Sequence, residues 1–391
     1  MKILNMLTSL ILVLSLVACG SNVQLTTNNE GQTNELKLEN ERKENMNNRI
    51  EITFKTDEEV KKENGFNDNL WSLVYDNAIT ENKPNEVNIH AISYYLNGIK
   101  IAANVYTPAG YDENKKYPAM TVAHPNGGVK EQVAGLFAEK LAEAGYIAIT
   151  ADAAYQGGSE GMPRNLDSPE SRVNDIHGMV DVLMVYPGVD TDRIGMLGIC
   201  GGGGYTLKAA QSEDRVKVVA TLSAFNTGIV RLNGLNNADI DTIDTRLKAA
   251  SDARTNEAKT GEVVYPAPRG QISKEQIDAM PDGLYKDGMY YYGVGYAHKR
   301  SGGQTPVKCL LDLINFDARH NMNLIKKPLL MIAGSEADTL YMTKDCFDLA
   351  TGTDNKELFI IDGARHIETY YVEEYVNKEV NKLLEFLTKN L

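Results

Sequence analysis

Cysteine is scarce: four residues in 391, and no two stand in a C-x-x-C. H-E-x-x-H and the EF-hand calcium loop are missing as well, so neither a metal nor any other cofactor is implied. The glycine-rich stretch has no Gly-Lys-Ser/Thr ending and no G-x-G-x-x-G, which removes the P-loop and the dinucleotide fingerprint. Positive charge is in the minority, 40 Lys and Arg against 53 Asp and Glu, for a formal net charge of -13. Such a balance disfavours nucleic acid or an anionic membrane surface as partner.

The chain begins with Met1-Lys2 and a largely apolar run, Ile3 to Val17. That run is short for a membrane span and reads as an export signal. Its end, Leu16-Val-Ala-Cys19-Gly20, is similar to the bacterial lipobox, in which the cysteine is lipidated and becomes the mature N-terminus. The expectation is therefore a signal peptide over residues 1–19, with Cys19 as lipid anchor and as the sole link to a membrane. Residues 20–48 are Asn, Thr, Glu and Lys with almost nothing apolar, a composition that cannot bury enough surface to order itself. They read as a flexible tether in an extracytoplasmic protein. In the lead-in segment, 49–85, Ile50, Ile52 and Phe54 alternate, and Leu70, Trp71, Val74 and Tyr75 could share one helix face.

From residue 86 to 391 the order of elements is informative. A hairpin turning at Asn97-Gly98 comes first, then strands at Ala119–Ala123, Tyr146–Thr150, Arg193–Leu197, Val216–Leu222, Lys327–Ala333 and Lys356–Ile361. Helical periods lie between them. Strands alternating with helices imply an α/β fold, a mostly parallel sheet covered on both faces. The alternation stops between 224 and 326, too long for a loop. This insertion contains a helix-like stretch, Asp239–Thr260, and a tyrosine-rich patch. Placed over the carboxyl ends of the strands it would cap a ligand site. Tyr291 and Tyr292 are the pocket candidates, with subdomain packing as the alternative.

The chemistry gathers at Arg193-Ile-Gly-Met-Leu-Gly-Ile-Cys-Gly-Gly-Gly-Gly204, a strand, a glycine corner, then a helix. Gly198-Ile-Cys200-Gly-Gly202 is the G-x-S-x-G elbow with sulfur for oxygen. A sulfur at a helix N-terminus faces unpaired N–H groups, so the thiol is expected to ionise readily. In this arrangement the chain order is nucleophile, acid, histidine. Asp338 follows one strand end and His366 the next, with Glu336 as the alternative acid. One oxyanion donor is the N–H of Gly201. The other comes from His124-Pro-Asn126-Gly127-Gly, where Pro125 has no N–H, which leaves Asn126 and then Gly127. Gly157-Gly-Ser159-Glu-Gly161 matches G-x-S-x-G literally but lies between no strand and helix. Ser159 is expected to shape a loop. Cys309 and Cys346 remain, and they could pair after export.

Four stretches together, 124–132, 152–159, 197–204 and 333–339, resemble the dienelactone-hydrolase-related branch of the α/β-hydrolases. Within it they are similar to a bacterial subgroup that includes fungal polyketide transferases. The resemblance implies an α/β-hydrolase fold with a capping insertion and a Cys-His-Asp triad at Cys200, His366 and Asp338. Dienelactone hydrolases carry a glutamate in the loop after the third strand, and Pro125 takes that place here, so a different substrate is expected. The reading is cleavage of a small-molecule ester or thioester through a Cys200 acyl-enzyme. The alternatives are acyl transfer by the same triad, or a binding lipoprotein on an inactive scaffold.

Overall fold

Asn97 and Gly98 both take positive φ, 50° and 77°, the backbone of a two-residue hairpin turn whose twist matches its strands. A computed structural model describes residues 49–64, 67–267 and 272–391. The export signal, Cys19 and the tether lie outside the described residues. The first strand, β1 (Thr53–Phe54), pairs with β2 (Asn88–Leu96), which the hairpin joins to β3 (Ile99–Thr107). Then follow β4 (Tyr117–Ala123), β5 (Ile147–Ala151), β6 (Val189–Ile199), β7 (Val218–Leu222), β8 (Leu329–Gly334) and β9 (Lys356–Ile361). They form one sheet in the order β1-β2-β3-β5-β4-β6-β7-β8-β9. It is antiparallel as far as the β3–β5 pair and parallel from β5 to β9.

The parallel strands are apolar on both sides because both faces are covered. In β8, Leu329 and Met331 enter one core layer, with helices Pro169–Val185 and Gly201–Ala210. Leu330 and Ile332 enter the other, with helices Val133–Glu143 and Glu373–Asn390. Residues 48–391 make one compact unit that includes the lead-in. Val60, Trp71, Leu73 and Tyr75 are buried in the second layer. The expected helix over Leu70–Tyr75 is absent: the Asn69 carboxamide oxygen accepts the N–H of Trp71 (2.9 Å) and of Leu73 (3.2 Å). A side chain serving the backbone in this way makes a turn instead. The helix of the lead-in is Asp57–Asn64.

Between β7 and β8 the insertion is helical, with segments Thr227–Asn233, Ile243–Thr260, Lys274–Asp278 and Leu284–Tyr290. Its longest helix starts four residues later than the expected stretch. Cys309 and Cys346 are both free and buried, so no disulfide joins them. Among the described residues no helix is long and apolar enough to cross a membrane.

Candidate active site

Cys200 stands at the end of β6 with φ 54° and ψ -120°, a conformation that costs a non-glycine residue roughly 1–3 kcal/mol. Four backbone bonds hold it there. Its N–H donates to Leu222 O (2.9 Å), and its carbonyl accepts from Gly203 (2.9 Å), Phe225 (2.9 Å) and Gly204 (3.2 Å). The corner tolerates no side chains at two positions. A Cβ on Gly198 would sit 2.4 Å from Thr206 Oγ1, and one on Gly202 would sit 2.4 Å from Ala123 O. Helix Gly201–Ala210 therefore starts directly against the end of β4, which brings the loop after β4 to the sulfur.

That loop is held by buried polar groups. Arg172 Nη2 donates to His124 O (2.8 Å) and Nη1 to Gln156 Oε1 (3.3 Å). The Ala153 N–H donates to His124 Nε2 (3.0 Å), which leaves the proton on Nδ1 for Pro125 O (2.7 Å). Burial, then the Arg172 charge, push His124 down to about 3. Further on, buried Lys130 bridges Glu131 and Asp152. Asp152 also accepts from the Lys130 N–H (2.8 Å) and the Gly158 N–H (2.7 Å). Burial opposes its charge, but Lys130, His124 and the Gly158 and Lys130 N–H groups together outweigh that and hold Asp152 down to about 2. So fixed, the loop presents the Asn126 N–H to the Cys200 sulfur together with the Gly201 N–H. Two of the three expected oxyanion donors thus meet at one point. Gly127 instead has its carbonyl engaged by the Gly302 N–H (2.8 Å).

The expected triad is not assembled as a triad. His366 is 1% exposed; its Nδ1 lies 2.5 Å from Thr339 Oγ1 and its Nε2 3.0 Å from the Tyr370 hydroxyl. The Tyr370 hydroxyl in turn lies close enough to the Cys200 thiol to favour its ionised form. Asp338 turns away. One of its oxygens accepts the N–H of Leu284 (3.0 Å), at the start of helix Leu284–Tyr290. A carboxylate is favoured there because the first N–H groups of a helix have no partner within it. Glu336 and Asp362 are exposed. Among the described residues no hydrogen bond or ion pair joins a carboxylate to His366.

The electrostatics follow from burial. It pushes the His366 imidazole down to about 3. It also pushes the Cys200 thiol up, against the hydrogen bonds from Tyr370, Gly201 and Asn126. Burial therefore works against the readily formed thiolate expected at the helix N-terminus and favours the neutral form of both groups. Among the described residues no cluster of His, Cys, Asp or Glu could hold a metal.

A cavity of about 780 Å³ opens over Cys200. Asn126, Gln156 and Ile367 line it from the sheet side, and Phe225, Leu284 and Tyr292 from the insertion. Tyr292 is thus a pocket residue and Tyr291 is not. Tyr291 is 1% exposed, its hydroxyl accepts the Val133 N–H (3.0 Å), and its ring meets Tyr296, Tyr370 and Tyr371. Ser159 is buried, donating to Asp152 O (2.6 Å) and accepting from the Ala102 N–H (3.0 Å). It shapes its loop and is not among the residues lining the cavity over Cys200.

Two outcomes follow. Iodoacetamide labelling of Cys200 should be slow at pH 6 and rise with a midpoint above the ordinary thiol value of about 8.5; fast labelling at pH 6 would reveal a thiolate after all. Tyr291→Ala should lower stability by about 3–5 kcal/mol in urea unfolding, as large aromatic truncations in a core do. Tyr292→Ala should instead change the ranking of substrates by kcat/KM, with a smaller loss of stability. Equal destabilisation by both would make Tyr292 a packing residue too.

Known proteins are similar to this chain in sequence and in fold. A model of the X-Pro dipeptidyl-peptidase (S15) family matches residues 97–283. Uncharacterized protein YcjY of Escherichia coli K12 is 37% identical over 297 residues, 75% of this chain and 95% of that one. Thiohydrolase aneE of Aspergillus aculeatus is 30% identical over 127 residues, 32% of this chain and 38% of that one. The crystal structure of hypothetical protein PA2218 from Pseudomonas aeruginosa aligns with a TM-score of 0.70 at 26% identity, over 80% of this chain and 99% of that one. With its parallel sheet, its strand–corner–helix at Cys200 and these relatives, the chain belongs to the α/β-hydrolase superfamily.

Proposed function

We propose that the protein cleaves an ester or thioester through an acyl-enzyme on Cys200, outside the cytoplasm and anchored by a lipid on Cys19. The observation that carries the reading is the strained corner that sets Cys200 at the start of helix Gly201–Ala210, beside Asn126 and under the cavity. In acyl transfer the substrate carbonyl carbon bonds to the sulfur, and its oxygen becomes an anion beside it. Donors that already point at the sulfur can turn slightly to that oxygen. One such donor is worth roughly 3 kcal/mol of transition-state stabilisation. His366, one hydroxyl away from the sulfur, is the base. The thiohydrolase among the relatives favours a thioester as well as an ester.

The cavity supports a small-molecule acyl substrate, since it is partly closed by the insertion and bounded by Phe225, Leu284 and Tyr292 beside the nucleophile. The test is a panel of p-nitrophenyl esters and acyl thioesters, with and without added alcohols and amines. Wild type should turn over a subset, and Cys200→Ala none. Turnover only with an acceptor would assign acyl transfer, and no turnover at all would leave a binding lipoprotein. Anchoring is tested separately. Expressed in a bacterium, the wild-type chain should partition with membranes and Cys19→Ala should be released or left unprocessed; soluble, correctly cleaved wild type would refute the anchor.

A further inference from the structure

The tyrosine between the two reactive groups has no part in the expected triad. Tyr370 is 1% exposed, so its hydroxyl has no water to bond. That hydroxyl lies 3.0 Å from His366 Nε2, on the ring edge that would otherwise face a nucleophile. The Cys200 thiol lies close enough to act on it electrostatically. The ring cannot move far, since it stands edge-on to Tyr291 at 5.4 Å and lies 5.8 Å from the His366 ring. Two arrangements of protons fit these contacts, and the one from which Cys200 can give up its proton runs S–H to the tyrosine oxygen, tyrosine O–H to Nε2, and Nδ1–H to Thr339 Oγ1.

We propose that Tyr370 is a catalytic residue whose hydroxyl carries the proton between Cys200 Sγ and His366 Nε2. The proposal rests on the reading of Cys200 as acyl acceptor. In acylation the sulfur–carbon bond forms and the carbonyl electron pair moves onto oxygen, facing Gly201 and Asn126. As it forms, the Sγ proton passes to the tyrosine oxygen while the tyrosine's own proton passes to Nε2. The phenol is neutral before and after. When the carbonyl reforms, the bond to the leaving alcohol or thiol breaks, and the imidazolium returns its proton through Tyr370 to that group. Water then attacks the acyl-enzyme along the same path, and the acid and the free thiol are released.

The physical reason for a relay is the absence of charge compensation. A buried imidazolium with only the Thr339 hydroxyl on Nδ1, and a buried thiolate, would both be poorly solvated. Moving two protons in concert along short hydrogen bonds keeps the ions from forming before the oxyanion donors have something to stabilise. An aromatic hydroxyl is also rigid, with its oxygen placed by the packing of the ring.

Tyr370→Phe keeps the ring and removes the relay. In single-turnover assays with a p-nitrophenyl ester it should reduce acylation by at least about 100-fold, the lower range for proton-transfer catalysis, with KM nearly unchanged. Wild type should show a bowed proton inventory in mixtures of H2O and D2O, two protons being in flight. The inventory needs no variant, so it decides the matter even where Tyr370→Phe folds poorly. A linear wild-type inventory, or a Tyr370→Phe rate at or above wild type, would overturn the relay and make the hydroxyl a block that the substrate displaces. Cys200→Ala is run beside them: full activity there sinks the nucleophile itself, whereas an inactive Cys200→Ala with an active Tyr370→Phe sinks only the relay.

Discussion

The positive φ at Cys200 is the constraint on which the site depends. A strand entering the corner from below and a helix leaving it at once can meet only if the residue between them is strained. The strain lifts the side chain off the sheet. It also forces helix Gly201–Ala210 against the end of β4, where Gly202 has backbone on every side. Because β4 neighbours β6 in the sheet, the loop after β4 cannot avoid the sulfur. The glycines, the adjacent parallel strands and the oxyanion donors are thus consequences of one backbone angle.

Around this corner charge is kept in pairs, away from the reacting atoms. Lys130 lies between Glu131 and Asp152 in the interior, with Arg300 3.9 Å from Glu131, and Arg172 spreads its charge over three acceptors and the Tyr205 ring, 5.2 Å away. Such groups are costly to bury and costly to separate, so they define where the loop sits. Cys200 and His366, by contrast, have neutral hydrogen-bond partners only among the described residues. A site of this kind does not store a thiolate. It holds the donors in place and leaves the charge to appear with the substrate.

Much of this architecture is legible in the sequence because it rests on local rules. Asn97-Gly98 specifies a hairpin, apolar pentads specify buried strands, and G-x-C-x-G between strand and helix specifies the corner. Asn126 follows from elimination, since Pro125 has nothing to donate. What is not legible depends on direction. Asp338 and Thr339 are neighbours, and chain order cannot say which of them faces the histidine. Tyr370 lies four residues after His366 in a stretch that turns through Glu368–Tyr370 rather than joining the last helix at once. Only that turn folds the ring back over Nε2. The tyrosine patch misleads for the same reason: Tyr291 and Tyr292 differ by one position, and the backbone sends one ring into the core and the other to the cavity.

The acid expected of the triad has another task, and it binds the insertion to the site. Asp338 caps the start of helix Leu284–Tyr290, while Arg365, next to His366, clasps Asp287 in the middle of that helix at 2.7 and 3.0 Å. The loops after β8 and β9 therefore each hold the same cap helix. The helix continues into Tyr291, whose ring abuts Tyr370. Placement of the cap and placement of the Tyr370 hydroxyl are in this way one mechanical problem. Asp338 keeps a second oxygen, Oδ1, which is buried and has no hydrogen-bond partner. The oxygen that is engaged holds the cap helix, so the hydrogen bond that Asp338 makes ties the insertion to the sheet rather than reaching His366.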